Sequence, residues 1–179
     1  MMKYLIILMM IGAAIGSNSF NHHLQPVTGQ LVLNITDAPG DLNITHANIT
    51  HANITISQVK VHRNAAANNT TAGWYTVVNK SQTFDLIALQ NITEFFGSVN
   101  LNAGLYTQIR LVVEKVVLTI DGAEYDCKIP SNTIKLITPF NISANKKTNL
   151  TMDFDVQKSV HETGNNKFMF KPTIKIIQG

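Results

Sequence analysis

The stretch LNAGLYTQIRLVVEKVVLTIDGAEYDCKI, residues 101–129, decides how the rest of the chain is read. From Leu105 the odd positions Leu105, Ile109, Leu111 and Val113 are apolar while Gln108 and Arg110 alternate with them, the period of a half-buried strand. After Glu114 and Lys115 the apolar set moves to the even positions Val116, Leu118 and Ile120. One residue has been inserted, as at a β-bulge or corner. Asp121-Gly122 then supplies the two residues with positive φ that a tight hairpin needs. Folding back about that turn pairs Ile120 with Ala123, Leu118 with Tyr125 and Val116 with Cys127 on an apolar face. The opposite face pairs Thr119 with Glu124 and Val117 with Asp126. Turn chemistry and face pattern agree on one antiparallel register.

Outward from this hairpin the chain repeats the same kind of pattern. Leu31, Leu33 and Ile35 share one face of a strand from Gly29, which ends at the turn residues 37–40. Residues 54–62 carry strand character that also switches parity, predicting a second bulge. Residues 74–78 form a short strand, with Trp74 expected as a core anchor. Residues 84–89 fit a strand end or one helical turn, and the pattern leaves 91–102 open. Ile134, Leu136, Phe140 and Ile142 alternate with polar residues, with Pro139 marking an edge strand. Leu150, Met152, Phe154 and Val156 form another strand, residues 161–167 a loop, and Phe168, Phe170, Ile174 and Ile176 close the chain. Some eight or nine short strands and no long amphipathic helix predict an all-β fold, a single antiparallel β-sandwich over residues 29–179.

One internal repeat, NITHANITHANIT, spans residues 43–55 with a period of five. An odd period reverses the strand face at each step, so Ile44, Ile49 and Ile54 cannot all point inward from one straight strand. The repeat is read as a duplication in a surface loop or strand entrance.

Residues 1–19 hold Lys3, an apolar run over 4–15 and then Gly16, Ser17 and Ser19, the pattern of a signal peptide. The run is shorter than the about 20 residues of a membrane span, and no second run follows, so no transmembrane anchor is expected and the location is secreted or cell-surface. Residues 20–28 lack periodicity and read as a flexible N-terminal arm. Only 14% of the 179 residues are charged against 45% hydrophobic, so solubility needs another source. Ten Asn-x-Ser/Thr sequons supply it, at Asn34, Asn43, Asn48, Asn53, Asn68, Asn69, Asn79, Asn91, Asn141 and Asn149. Composition alone predicts about three, and the excess points to N-linked glycans. The formal net charge of +3 is too small to suggest nucleic acid as a partner. Cys127 is the only cysteine, which excludes an intrachain disulfide, and its place on the apolar hairpin face reads as a small buried hydrophobe.

The landmarks Thr36-Asp-Ala-Pro39, Val59-Lys-Val-His62, Trp74, Phe84-Asp-Leu86 with Leu89, residues 103–111, Ile129-Pro-Ser131, Asp153-Phe-Asp155 with Ser159-Val160, and Lys171-Pro172 fall in a characteristic order. In it the chain resembles the secreted prokaryotic family catalogued as domain of unknown function 4382, common in archaeal surface proteins, over about residues 29–176. The resemblance implies a signal peptide and a β-sandwich-like domain, and brings no activity or catalytic residues. The five-residue duplication and Cys127 depart from the family pattern.

No catalytic signature is present: no Gly-x-Ser-x-Gly, phosphate-binding loop, Cys-x-x-Cys or His-Glu-x-x-His. The chain is therefore not expected to be an enzyme. His22, His23, His46, His51, His62 and His161 are the candidate copper or zinc ligands, though none has chelating spacing. Asp37, Asp41, Asp85, Asp153 and Asp155 are the candidates for calcium, which takes six to eight oxygens in flexible geometry. The plainer reading gives Asp37 and Asp85 to turn caps and leaves Asp153 and Asp155 to solvent or to Arg110. No cofactor is required. Together these features predict a secreted, N-glycosylated, non-catalytic structural module of the cell surface or extracellular matrix, partnered by other envelope proteins or copies of itself. The alternative is a ligand-binding module for carbohydrate or a metal ion.

Overall fold

Asp121 and Gly122 take φ of 48° and 80°, the left-handed region that both tolerate. Ile120↔Ala123, Leu118↔Tyr125, Thr119↔Glu124 and Val117↔Asp126 pair across the turn as the face pattern requires. The structure is a computed structural model and describes residues 27–37, 48–64 and 72–179. The strands are β1 (Thr28–Asp37), β2 (Ile49–Arg63), β3 (Gly73–Val78), β4 (Gln82–Asp85), β5 (Glu94–Asn102), β6 (Gly104–Ile120), β7 (Ala123–Lys128), β8 (Thr133–Ile142) and β9 (Lys147–Phe154). One helical turn, α1 (Val156–Ser159), precedes β10 (Val160–Gly164), β11 (Lys167–Phe170) and β12 (Ile174–Gln178).

A small sheet runs in the order β12-β9-β1-β5, and a large one in the order β10-β11-β7-β6-β2-β3, with β4 beside β2 and β8 beside β6. The fold is an all-β sandwich, but the sheets are mixed: β1 runs parallel to β9 and β7 parallel to β11. Leu31, Leu33 and Ile35 of β1 and Leu150, Met152 and Phe154 of β9 join Val59, Val61, Ile109, Leu111 and Val113 of the large sheet in one buried cluster. Burial of this apolar area is the main source of stability. At the small sheet's lower end, a Cβ on Gly29 would collide with the Ser143 carbonyl, so this close approach requires glycine.

The two predicted bulges are one structural event. Thr55 pairs with Lys115, Ile56 with Val113 and Gln58 with Val112, so Glu114 on β6 and Ser57 on β2 are the additional residues, at the same height. Both strands change parity together, and register resumes from Ile54↔Val116 on one side to Val59↔Leu111 on the other. One face of a long two-stranded ribbon thereby stays in the core along its whole length.

The repeat uses a third irregularity. Its last two units lie within β2, where register shifts between Ile49 and His51. A bulge there absorbs the odd period, so Ile49 and Ile54 are both buried. A straight strand could not have done this, and the expectation of a loop or strand entrance missed it.

Other expectations are corrected. Leu105 is 41% exposed and Tyr106 takes the inward place, stacked on Phe140 at 5.4 Å with its hydroxyl donating to the Asn102 carbonyl at 3.0 Å. Burial raises the Tyr106 phenol to about 12, partly opposed by Arg63. Trp74 is not a core anchor but lies 37% exposed on the outward face of the large sheet. Val156 opens α1 instead of extending β9. Residues 161–167 are the arms and turn of a β10–β11 hairpin, with Asn165 and Asn166 at φ of 52° and 56°. Residues 84–89 are a strand end followed by a turn, and the open segment 91–102 contains β5.

Candidate functional site

The outward face of the large sheet below the double bulge gathers side chains that the sequence scatters. Alternation on β2, β3, β6 and β8 turns every second residue away from the core, and the pairing decides which of these become neighbours. His62 faces Trp74 on one side and Gln108 on the other, and Gln108 faces Ile137. In the next row Lys60 pairs with Thr76 and Arg110, and Arg110 with Lys135. The Arg110 side chain reaches across β2 to place its guanidinium carbon 4.0 Å from the Trp74 ring centroid, a cation–π stack. Its Nε donates to Gln108 Oε1 at 2.9 Å. The His62 and Trp74 rings are 4.9 Å apart. Alternation along the sequence places Arg110 and Gln108 outward but does not reveal this cluster; the available signal is that outward positions on four segments lack any acid.

The aspartates go three ways. Asp37 is buried at the end of β1, where Oδ1 accepts from the Val156 amide at 3.0 Å and ties β1 to α1. Burial pushes its carboxyl up to about 7; the Val156 amide pulls it down, and Asp155 and Asp153 add to the rise. Asp153, half-buried opposite Lys175, is raised by burial, with Lys175 opposing. For Asp155 burial acts upward, but the Lys158 ammonium and amide outweigh it and hold the carboxyl below its ordinary value. It caps α1 and pairs with Lys158 at 2.6 Å. Asp85 is on the other sheet, accepting from Ala52 and Ile87 amides and meeting His51 Nδ1 at 2.7 Å. Asp85 thus caps its turn as expected. Asp153 and Asp155 do not pair with Arg110, which is engaged with Trp74 and Gln108 on the opposite sheet. Asp37 Oδ2, Gln90 Nε2, Asp153 Oδ1 and Gln157 Nε2 are buried without a protein hydrogen-bond partner. Among the described residues no group of three or more His, Cys, Asp or Glu is arranged to hold a metal. Asp41, His22, His23 and His46 lie outside the described residues, as do the signal-peptide segment 1–19 and the arm up to residue 26.

Of the sequon asparagines, Asn43, Asn68 and Asn69 also lie outside the described residues. Asn48, Asn79, Asn91, Asn141 and Asn149 are exposed, and Asn34 and Asn53 are half-buried at outward strand positions. Asn34 on β1 and Asn149 on β9 share the outward face of the small sheet. Cys127 is half-buried against the core, and burial pushes its thiol up to about 12, which keeps it protonated and weakly nucleophilic. His161 is exposed. A cleft of about 420 Å³ lies between β7 and β11, lined by Glu124, Tyr125, Asp126, Lys128, Lys167 and Phe168 among others. No helix among the described residues is long and apolar enough to cross a membrane.

A family model described as a domain of unknown function (DUF4382) matches residues 28–172. No curated protein and no solved structure matches the chain.

Proposed function

This chain belongs to the DUF4382 family, and on that premise we propose that it is a secreted, N-glycosylated, non-catalytic structural module of the cell surface or extracellular matrix that assembles with copies of itself. The observation that supports this reading best is that all seven described sequon asparagines stand outside the core, five of them exposed. A glycan at any of the five exposed ones extends into solvent. The open strand edges support the assembly part of the reading: β8 and β3 each pair on one side only, and β8 presents Ile137 at 71% exposure. An edge with unpaired backbone groups is a template for another chain's strand.

The test is made on the full chain recovered from its own host. Glycopeptide mass spectrometry is expected to find Asn79, Asn91, Asn141 and Asn149 occupied, and sedimentation to find high-order species. Deleting residues 20–26, which spares the Val27 carbonyl bonded to the Ala103 amide, is expected to leave the domain folded and reduce assembly. Bare asparagine at all four sites, or a full chain that stays monomeric at high concentration, would sink the proposal.

A further inference from the structure

We infer that the outward face of β8, β6, β2 and β3 is a docking surface for an acidic polysaccharide, gripped through its carboxylates. Lys60, Arg110 and Lys135 stand opposite one another on three neighbouring strands. Strands lie about 4.8 Å apart, so the backbone positions of the three cations span roughly 10 Å. Like charges directly opposed across strands are destabilising, and none of the three is in an ion pair with a described carboxylate. The outward positions of residues 58–63, 73–78, 104–113 and 133–139 include no Asp or Glu. Above the double bulge the same face is balanced, with Lys115 on Asp126 at 3.1 Å and His51 on Asp85. The imbalance is local to the lower half, and an anion from outside neutralises it.

Arg110 is held ready for such an anion. Its guanidinium lies over Trp74 and its Nε is bonded to Gln108, which leaves two terminal nitrogens for the parallel hydrogen bonds that match a carboxylate. Trp74 and Ile137, at 37% and 71% exposure, stand at the ends of the neighbouring His62–Gln108 row and offer apolar area to the C–H faces of sugar rings. His62, Thr76 and Thr133 supply polar groups for hydroxyls. Nucleic acid is disfavoured, since its phosphates come one per about 1.7 Å of duplex and meet only three cations here. The described sequon on this face, Asn141, lies six positions along β8 from Lys135, away from the cationic row.

Trp74 is the single tryptophan of the chain, so its fluorescence reads this surface directly. Titrating the full secreted protein with polygalacturonate at low salt is expected to give a saturable change that weakens as salt rises. Arg110→Gln is expected to lower the affinity about tenfold, as for loss of a charge-assisted bond. Lys60→Gln and Lys135→Gln should lower it severalfold, and Lys147→Gln on the other sheet should leave it unchanged. Capture on polygalacturonate beads gives the same ranking independently, because Arg110→Gln also alters the Trp74 surroundings. No change in the unmodified protein, full affinity in Arg110→Gln, equal binding of neutral dextran, or displacement of polygalacturonate by less single-stranded DNA would each overturn the assignment.

Discussion

The two outward faces of the sandwich are built by the same alternation and present opposite surfaces. The small sheet shows Asn34 on β1 and Asn149 on β9, sets Asp153 against Lys175, and exposes Phe95 and Ile177 at 58% and 43%. Glycans at two sites would cover that part-apolar surface. The lower large sheet shows Lys60, Arg110 and Lys135 around Trp74, with no acid among them and its described sequon, Asn141, six positions from Lys135 near the end of β8. Folding constrains only the inward residue of each pair along a strand. The outward residues are therefore free to differ, and one face can be shielded while the other stays available for binding. The fold is written in every second residue, and what the protein does is written in the remainder.

The largest expected effect loosens one face and spares the other. In the unfolded chain the Asp37 carboxyl titrates near 3.8, whereas in the fold burial raises it to about 7. The folded state binds that proton more tightly, so the stability it confers is fully present below pH 3.8 and is lost as pH rises through 7. Three units correspond to about 4 kcal/mol. Urea unfolding between pH 5 and 8 should show the protein weakening with rising pH by about 3 kcal/mol, the share of that loss that falls between pH 5 and 7. Asp37→Asn keeps an acceptor for the Val156 amide and should flatten the dependence. Hydrogen exchange above pH 7 should quicken in β1 and β9 before β2 and β6. Parallel pH curves for the two proteins would refute the role of Asp37.

Why Asp37 was legible only as a candidate shows where sequence reading stops. The hairpin register and the two parity changes could be read because turn residues and apolar spacing are local. The joint position of the two bulges depends on β2 pairing β6, and Ile49 was misread because the third bulge leaves no local signal. Asn165-Asn166 makes a tight turn in which the glycine, Gly164, precedes the two turn positions instead of occupying one. Asp37 bonds to an amide 119 positions away, and the parallel β1–β9 pairing that brings Asp153 beside it has no turn to mark it. The same limit hid the Trp74–Arg110 stack, since an alternating strand shows which residues share a face but not whether that face looks in or out. Residues grouped by chemistry, such as Asp85 with Asp153, ended on different sheets.

A second experiment transplants the property of one face onto the other. Lys135→Asn combined with Ile137→Thr writes the sequon Asn-Leu-Thr into β8 at two exposed positions. A glycan there should reduce polygalacturonate binding by more than tenfold, through both a lost cation and steric cover. Enzymatic removal of the glycan should restore part of the affinity, leaving the loss due to Lys135 and Ile137. Binding that survives with the new site shown occupied by mass spectrometry would mean that the polymer docks elsewhere.

The smallest effect asks whether the cationic row is held against its own repulsion. Lys60 sits directly across from Arg110, and removing one of two opposed like charges relieves a strain of about 0.5 kcal/mol. Lys60→Gln should therefore raise stability slightly at low ionic strength. Salt of about 1 M shortens the screening length to roughly 3 Å and should erase the gain. The corresponding change on the small sheet, Lys175→Gln, removes a cation that faces Asp153, so it should lower stability by a similar amount and respond to salt in the opposite sense. Paired urea titrations at two salt concentrations measure both. If both substitutions shift stability in the same direction, the two faces are electrostatically alike and the cationic row needs no ligand to account for it.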